Sequence, residues 1–201
     1  NDIDLPQINY TVTALQRKVF NRSNVGLIFV NKQDLANKSN TSFNQFNRVV
    51  GLDYNLASAD NSLNGKFFYH RTFEKDDSQN SFAASANLLY STINWQIEGL
   101  AQKVGNGYNP EVGFARRNNY ERGALSLRKN FYPNSGAIQR ISPGIETEVY
   151  TNDTNGTTDS QVSLGLELAM LNTSNIRLSV NRSYIYLFRA FDPTRNNNER
   201  L

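Results

Sequence analysis

The chain has 201 residues, a formal net charge of +3, one histidine and no cysteine. Without cysteine there is no disulfide staple, thiol catalysis or zinc–thiolate site, and mild, scattered positive charge gives no footprint for nucleic acid. Mean hydropathy is −0.58 and no run of about 18 apolar residues offers a transmembrane helix, yet neither excludes a β-barrel, where only one face of each strand meets lipid.

Ten stretches alternate apolar with polar residues, at 9–20, 24–34, 46–57, 62–73, 80–91, 92–104, 117–132, 137–151, 159–171 and 175–191. In the third, Val50, Leu52, Tyr54 and Leu56 share one face, and Asn47, Gly51, Asp53 and Asn55 the other. In the sixth, Ile93, Trp95 and Ile97 oppose Asn94, Gln96 and Glu98, and in the ninth Val162, Leu164, Leu166 and Leu168 oppose Ser163, Gly165 and Glu167. Period two predicts strands; a helix needs apolar spacings of three and four, which none of these stretches has. Arg182 is a misfit, in phase with Ile176, Leu178, Val180 and Tyr184 on the apolar face. A bulge, a snorkelling side chain or a change of phase after Asn181 would each account for it.

The connections alternate in length. Those at 21–23, 58–61, 91–92, 133–136 and 172–175 are short and rich in Asn, Ser, Pro and Gly, as tight turns require. Those at 35–45, 74–79, 105–116 and 151–158 are long. Short turns on one side and long loops on the other mark an outer-membrane barrel. Aromatic residues near the stretch ends fit two interfacial belts: Phe20, Tyr90, Phe131 and Tyr132 by short turns, and Phe46, Phe73, Phe82, Phe188 and Phe191 by long loops.

The predicted fold is therefore all-β, an antiparallel up-and-down transmembrane β-barrel, with about ten strands here as part of a larger barrel. Residues 1–8 are expected to be a linker or the end of a preceding segment, 9–191 the barrel strands, and 192–201 the start of an outer loop. The first residues lack a basic and apolar leader. With short turns periplasmic, the chain would begin and end on the outer side, so further strands are expected before and after it.

Three segments carry a family resemblance. Tyr108-Asn109-Pro110-Glu111-Val112-Gly113-Phe114-Ala115-Arg116-Arg117, Arg48-Val49-Val50-Gly51-Leu52-Asp53-Tyr54-Asn55, and Ser23-Asn24-Val25-Gly26-Leu27-Ile28 with Asn31-Lys32-Gln33 resemble an uncharacterised outer-membrane β-barrel family of Bacteroidetes. Members often carry an N-terminal domain similar to carbohydrate-binding module family 9. The resemblance implies an outer-membrane barrel and a link to glycan handling. It implies no reaction and no catalytic residues.

Several residues could carry chemistry. Between Gly105 and Arg117, glycines and Pro110 shape the backbone and Glu111 faces two candidate partners, Arg116 and Arg117. This segment is expected either to narrow a pore or contact a ligand, or to act as a latch pinning a long loop to the wall, which is the favoured alternative. Asp53, Lys66, His70, Glu98 and Glu167, with Glu146 and Glu148, fall on polar faces and are candidate lumen-lining groups, since each charge would cost a few kcal/mol in lipid. His70 could serve a hydrolase with Ser62, Ser81 or Ser85 and with Asp76 or Asp77, but no Gly-x-Ser-x-Gly elbow is present and a lone histidine on a polar wall needs no catalytic role. The run Asp153–Asp159 has a passing likeness to a calcium loop but lacks the terminal Glu, so it is expected to be an outer loop. No catalytic residue, metal site or cofactor is assigned.

The expected function is an outer-membrane barrel protein with a transport, channel or assembly role. Its partners are the lipid bilayer and lipoprotein or transporter chains. The alternatives are an outer-membrane hydrolase using His70 and a soluble β-barrel or sandwich-like binding module, in which the apolar faces would form a core.

Overall fold

A computed structural model describes residues 7–35, 46–75, 79–113, 115 and 117–187. The strands are β1 (Ile8–Val19), β2 (Ser23–Asp34), β3 (Phe46–Ala57), β4 (Leu63–Glu74), β5 (Phe82–Ser91), β6 (Trp95–Val104), β7 (Tyr120–Lys129), β8 (Ile138–Asn152), β9 (Gly156–Met170) and β10 (Asn175–Ile185). They form one antiparallel sheet in the order β1 to β10, each strand paired with its neighbour in sequence. Among the described residues there is no helix, no second layer, and no pairing of β1 with β10. The expected all-β, up-and-down antiparallel architecture is thus present, as an open sheet.

Register fixes the two faces. Leu27 pairs with Leu52, which pairs with Tyr69, and Tyr69 with Ala84. On the far side Ile145 pairs with Leu164, and Leu164 with Val180. These residues share the apolar face. It stays largely uncovered: Leu52 is 56% exposed, Leu164 54% and Val180 73%. Stacked rings sit on this face too, Tyr54 with Phe67 at 5.9 Å and Tyr69 with Phe82 at 5.7 Å between centroids.

Arg182 pairs directly with Val162, in a β9–β10 ladder without a register shift. Neither a bulge nor a change of phase removes it from the apolar face. The bulges fall instead between β8 and β9, at Ile138/Arg140 and at Tyr150/Thr151.

The alternation of connection length holds as far as the β6–β7 connection and then reverses. Between β7 and β8 the chain runs through 130–137, with an isolated bridge from Phe131 to Ile141. Between β8 and β9 it turns tightly at 153–155. The expected long loop at 151–158 is a hairpin turn because the strands continue into it. Asn152 Oδ1 accepts the Thr154 and Asn155 amides at 3.1 and 2.6 Å, and Gly156 takes a positive φ of 65°, the local chemistry of a tight Asx-type turn. The seventh stretch was also expected to be longer; β7 begins at Tyr120, after Asn119 at φ 55°. Residues 1–6, 192–201, Phe188, Phe191, Asp76 and Asp77 lie outside the described residues.

The few buried apolar side chains are Val30, Val49, Ala83 and Val104. They lie on the polar face, on β2, β3, β5 and β6, at the end where the longer connections leave the sheet. A single-layer sheet cannot bury its own face, so something must lie over them. The β6–β7 connection is anchored at this same end of the face, at Thr72, Asn47 and Lys32.

Candidate functional site: the polar face and the β6–β7 segment

After Val104 the chain folds back over the polar face. The Gly105 amide donates to the Phe82 carbonyl at 2.8 Å, and a Cβ at Gly105 would collide with the Asn80 carbonyl oxygen. Only glycine allows so close an approach. The segment then crosses β5 and β4. The Asn109 amide donates to Thr72 Oγ1 at 3.4 Å, and Asn47 Nδ2 donates to the Asn109 carbonyl at 2.8 Å and to Glu74 Oε1 at 2.9 Å. Asn47 Oδ1 accepts the Glu111 amide at 3.1 Å. Lys32 on β2 forms an ion pair with Glu111.

Asn47 and Thr72 are each 1% exposed. A buried amide side chain is costly unless its groups are paired, and Asn47 meets that condition by holding the segment at two points. Each such bond contributes about 0.5–1.5 kcal/mol net, so the anchors together fix the segment to the wall. Tyr108 lies half-buried beneath it, and that burial raises its phenol above the usual range.

The far end of the same connection is tied to the opposite part of the sheet. Arg117 reaches over β8 to β9, donating to Asp159 Oδ2 at 3.1 Å and to Thr158 Oγ1 at 2.9 Å. Its guanidinium lies 5.4 Å from the Tyr150 ring centroid and 5.9 Å from that of Tyr120. Thr158 is fully buried at the bulge beside Tyr150. The bulge turns Thr158 towards the wall, where its hydroxyl also donates to Asp159 Oδ2 at 2.8 Å.

Of the expected partners of Glu111, Arg116 lies outside the described residues, and Arg117 is committed to β9. Among the described residues Glu111 pairs with Lys32, distant in sequence. Asn47, Thr72, Lys32 and Thr158 are the site residues that sequence reasoning did not single out. A weak signal existed, because alternation already puts Lys32, Asn47 and Thr72 on one face at one end. The sequence led to the expectation of a latch for the long loop but did not show where on the wall it would come down.

The rest of the polar face is a wall of cross-strand polar pairs. Asp53, Lys66, His70, Glu98 and Glu167 all lie on it by register. Asn87 Nδ2 donates to Glu98 Oε1 at 2.8 Å. Arg122 Nε donates to Glu148 Oε1 at 2.5 Å, and Arg128 lies 3.6 Å from Glu146. Glu167 takes Arg140 at 2.7 Å and Arg177 at 3.1 Å. Lys66 is exposed, flanked in register by Asn55 and Asn87. A recess of about 340 Å³ opens among these groups, lined by Asn87, Glu98, Arg122, Glu148 and Gln161.

His70 Nε2 lies 3.3 Å from Asp53 Oδ1, with its ring tilted on Phe68 at 4.8 Å. Among the described residues no serine hydroxyl hydrogen-bonds the ring. Ser62 is held by Asp60 in the β3–β4 turn, at the other end of β4, and Ser85 pairs with Phe68. Asp159 of the calcium-like run is engaged by Arg117, and no group of three or more metal-ligating side chains occurs among the described residues. No family model, curated protein or solved structure matches the chain.

Proposed function

We propose that these strands form part of the wall of an outer-membrane β-barrel with a transport, channel or assembly role, its polar face lining an aqueous lumen. The carrying observation is the contrast between the two faces of a single sheet. One face presents large apolar side chains, with no covering layer among the described residues. Contiguous exposed apolar surface on this scale calls for a cover, and lipid supplies one to a barrel. The other face carries paired charges, which are at ease beside water and costly beside hydrocarbon.

Local chemistry at both ends supports the same reading. Lys129 lies over Trp95 and Phe131 near short turns, at 4.7 and 4.8 Å. Arg48 lies over Phe46 and Arg71 over Phe73 at the other end, at 4.6 and 5.1 Å. Aromatic residues with cations beside them suit the two membrane interfaces. The closing strands would come from elsewhere, since an open edge has no hydrogen-bond partners in hydrocarbon. The partners in this reading are the bilayer and companion lipoprotein or transporter chains. The link to glycan handling rests on the resemblance of the segments around Ser23, Arg48 and Tyr108 to the Bacteroidetes barrel family.

The hydrolase alternative has only the Asp53–His70 pair in its favour, and no serine hydroxyl hydrogen-bonds that imidazole among the described residues. The test is cell fractionation of the full-length protein, with the membrane fraction run on a gel heated and unheated. Outer-membrane location with heat-modifiable mobility is the expected result. A soluble, heat-insensitive protein would overturn the reading in favour of a binding module with the apolar face as its core.

A further inference from the structure

We propose that the segment 105–113 is a fixed constriction that sets the size of solute passing through the lumen. This rests on the channel reading above and goes beyond it, because it assigns selection to a particular stretch of chain and to the residues that hold it.

The geometry carries the inference. Val104 and Tyr120 are register partners on adjacent strands. A connection between neighbours has no need to leave their edge, and left alone it would project from the mouth. Here it travels sideways instead, over β5 and β4, to Asn47 on β3 and Lys32 on β2. From β6 to β2 is four strand spacings, roughly 19 Å of wall at the usual inter-strand distance. On the inner side of a curved wall, chain laid across that distance occupies lumen.

The anchors make this a standing obstruction. Asn47 bonds the segment at two points, the Asn109 carbonyl and the Glu111 amide, and Thr72 accepts the Asn109 amide. Asn47 and Thr72 are almost completely buried where they bond it, so lifting the segment would leave buried polar groups unpaired. The Arg117 tie to β9 holds the returning chain on the other side. Loss of these anchors would widen the passage while leaving the ladder of the sheet intact.

The test uses the full-length protein in planar bilayers and in sugar-loaded liposomes. The double substitution Asn47→Ala with Thr72→Val removes both anchoring side chains; Asn47→Ala alone removes the bonds of Asn47 to Asn109 and Glu111 and keeps Thr72. The anchor variant is expected to keep heat-modifiable mobility, to conduct about twofold or more above wild type, and to admit larger sugars. The single variant is expected to shift conductance and size limit in the same direction by a smaller factor. Heat-modifiable variants with wild-type conductance and size limit, or no conductance in any form, would overturn the constriction while leaving the barrel standing. If the double variant does not fold, the single variant decides by the same two outcomes. Absence of heat-modifiable mobility in the wild type would instead remove the barrel reading itself.

Discussion

Asn47 Nδ2 donates to the carbonyl of Asn109 at 2.8 Å, joining β3 to the β6–β7 segment across 62 positions of sequence. The amide is almost completely buried and bonds the segment again through Oδ1. Asn47→Ala is expected to cost about 1–3 kcal/mol, since it leaves buried backbone groups unpaired. Urea unfolding of the refolded protein measures this. A change near zero would mean that water replaces the amide without loss.

Gly51 faces His70 across the β3–β4 ladder. A Cβ there would overlap His70 Cδ2 and lie 2.7 Å from Ile28 Cγ2. Gly51→Ala is therefore expected to push the imidazole off Asp53 and to destabilise by about 1–3 kcal/mol, the usual cost of overpacking. The imidazole resonances report the displacement. Unchanged shifts and stability would contradict the close approach of His70 to Gly51.

Arg122 and Glu148 are each about one-third exposed, at 32% and 31%. Partial exposure places their coupling near that of surface pairs, about 0.2–1 kcal/mol. A double-mutant cycle with Arg122→Ala and Glu148→Ala should return that value and shrink it in high salt. A larger, salt-insensitive coupling would indicate a dry interior and argue against an aqueous lumen.

Asp60, in the β3–β4 turn, accepts the Ser58 hydroxyl together with the amide and hydroxyl of Ser62. These bonds lower its pKa from 3.8 to about 2. A folded pKa below the unfolded one contributes stability above about pH 3.8, and that contribution is lost as pH falls through 2. The stability gap between wild type and Asp60→Asn should therefore narrow between pH 4 and pH 2. A carboxyl titration midpoint near 3.8 would contradict this.

Arg182 sits on the apolar face opposite Val162. On a lipid-facing wall an arginine costs about 2–4 kcal/mol at mid-depth and about 0–1 near the interfaces. Arg182→Leu is expected to raise folding stability in lipid vesicles by about 1–3 kcal/mol. Destabilisation in vesicles would show that the guanidinium has a partner of its own on that side.

How far the sequence disclosed this molecule depended on the range of the interactions. Period-two alternation follows from strand geometry alone, so Val50, Leu52 and Tyr54 announced their face before any pairing was known. The polar side of Asp53 and Glu167 was legible in the same way, because a slip by one residue would turn either onto the apolar face. The 151–158 hairpin was missed because Asn152 and Gly156 build a tight turn inside what reads as polar loop. The Lys32–Glu111 and Arg117–Asp159 pairs were missed for a different reason. They join residues whose proximity depends on where a long connection folds, and no local pattern encodes that.

The strict sequential order of the strands bears on how such a wall comes into being. Every ladder joins neighbours in the chain, so loop closure between partners is short and its entropy cost small. Hairpins can be added one after another, each templating the next. The same order makes the unit of inheritance a pair of strands. Gaining or losing one hairpin would change the circumference by two strands and leave the remaining ladders undisturbed. The β6–β7 segment is the exception, because it ties four strand positions together and so fixes which hairpins must stay.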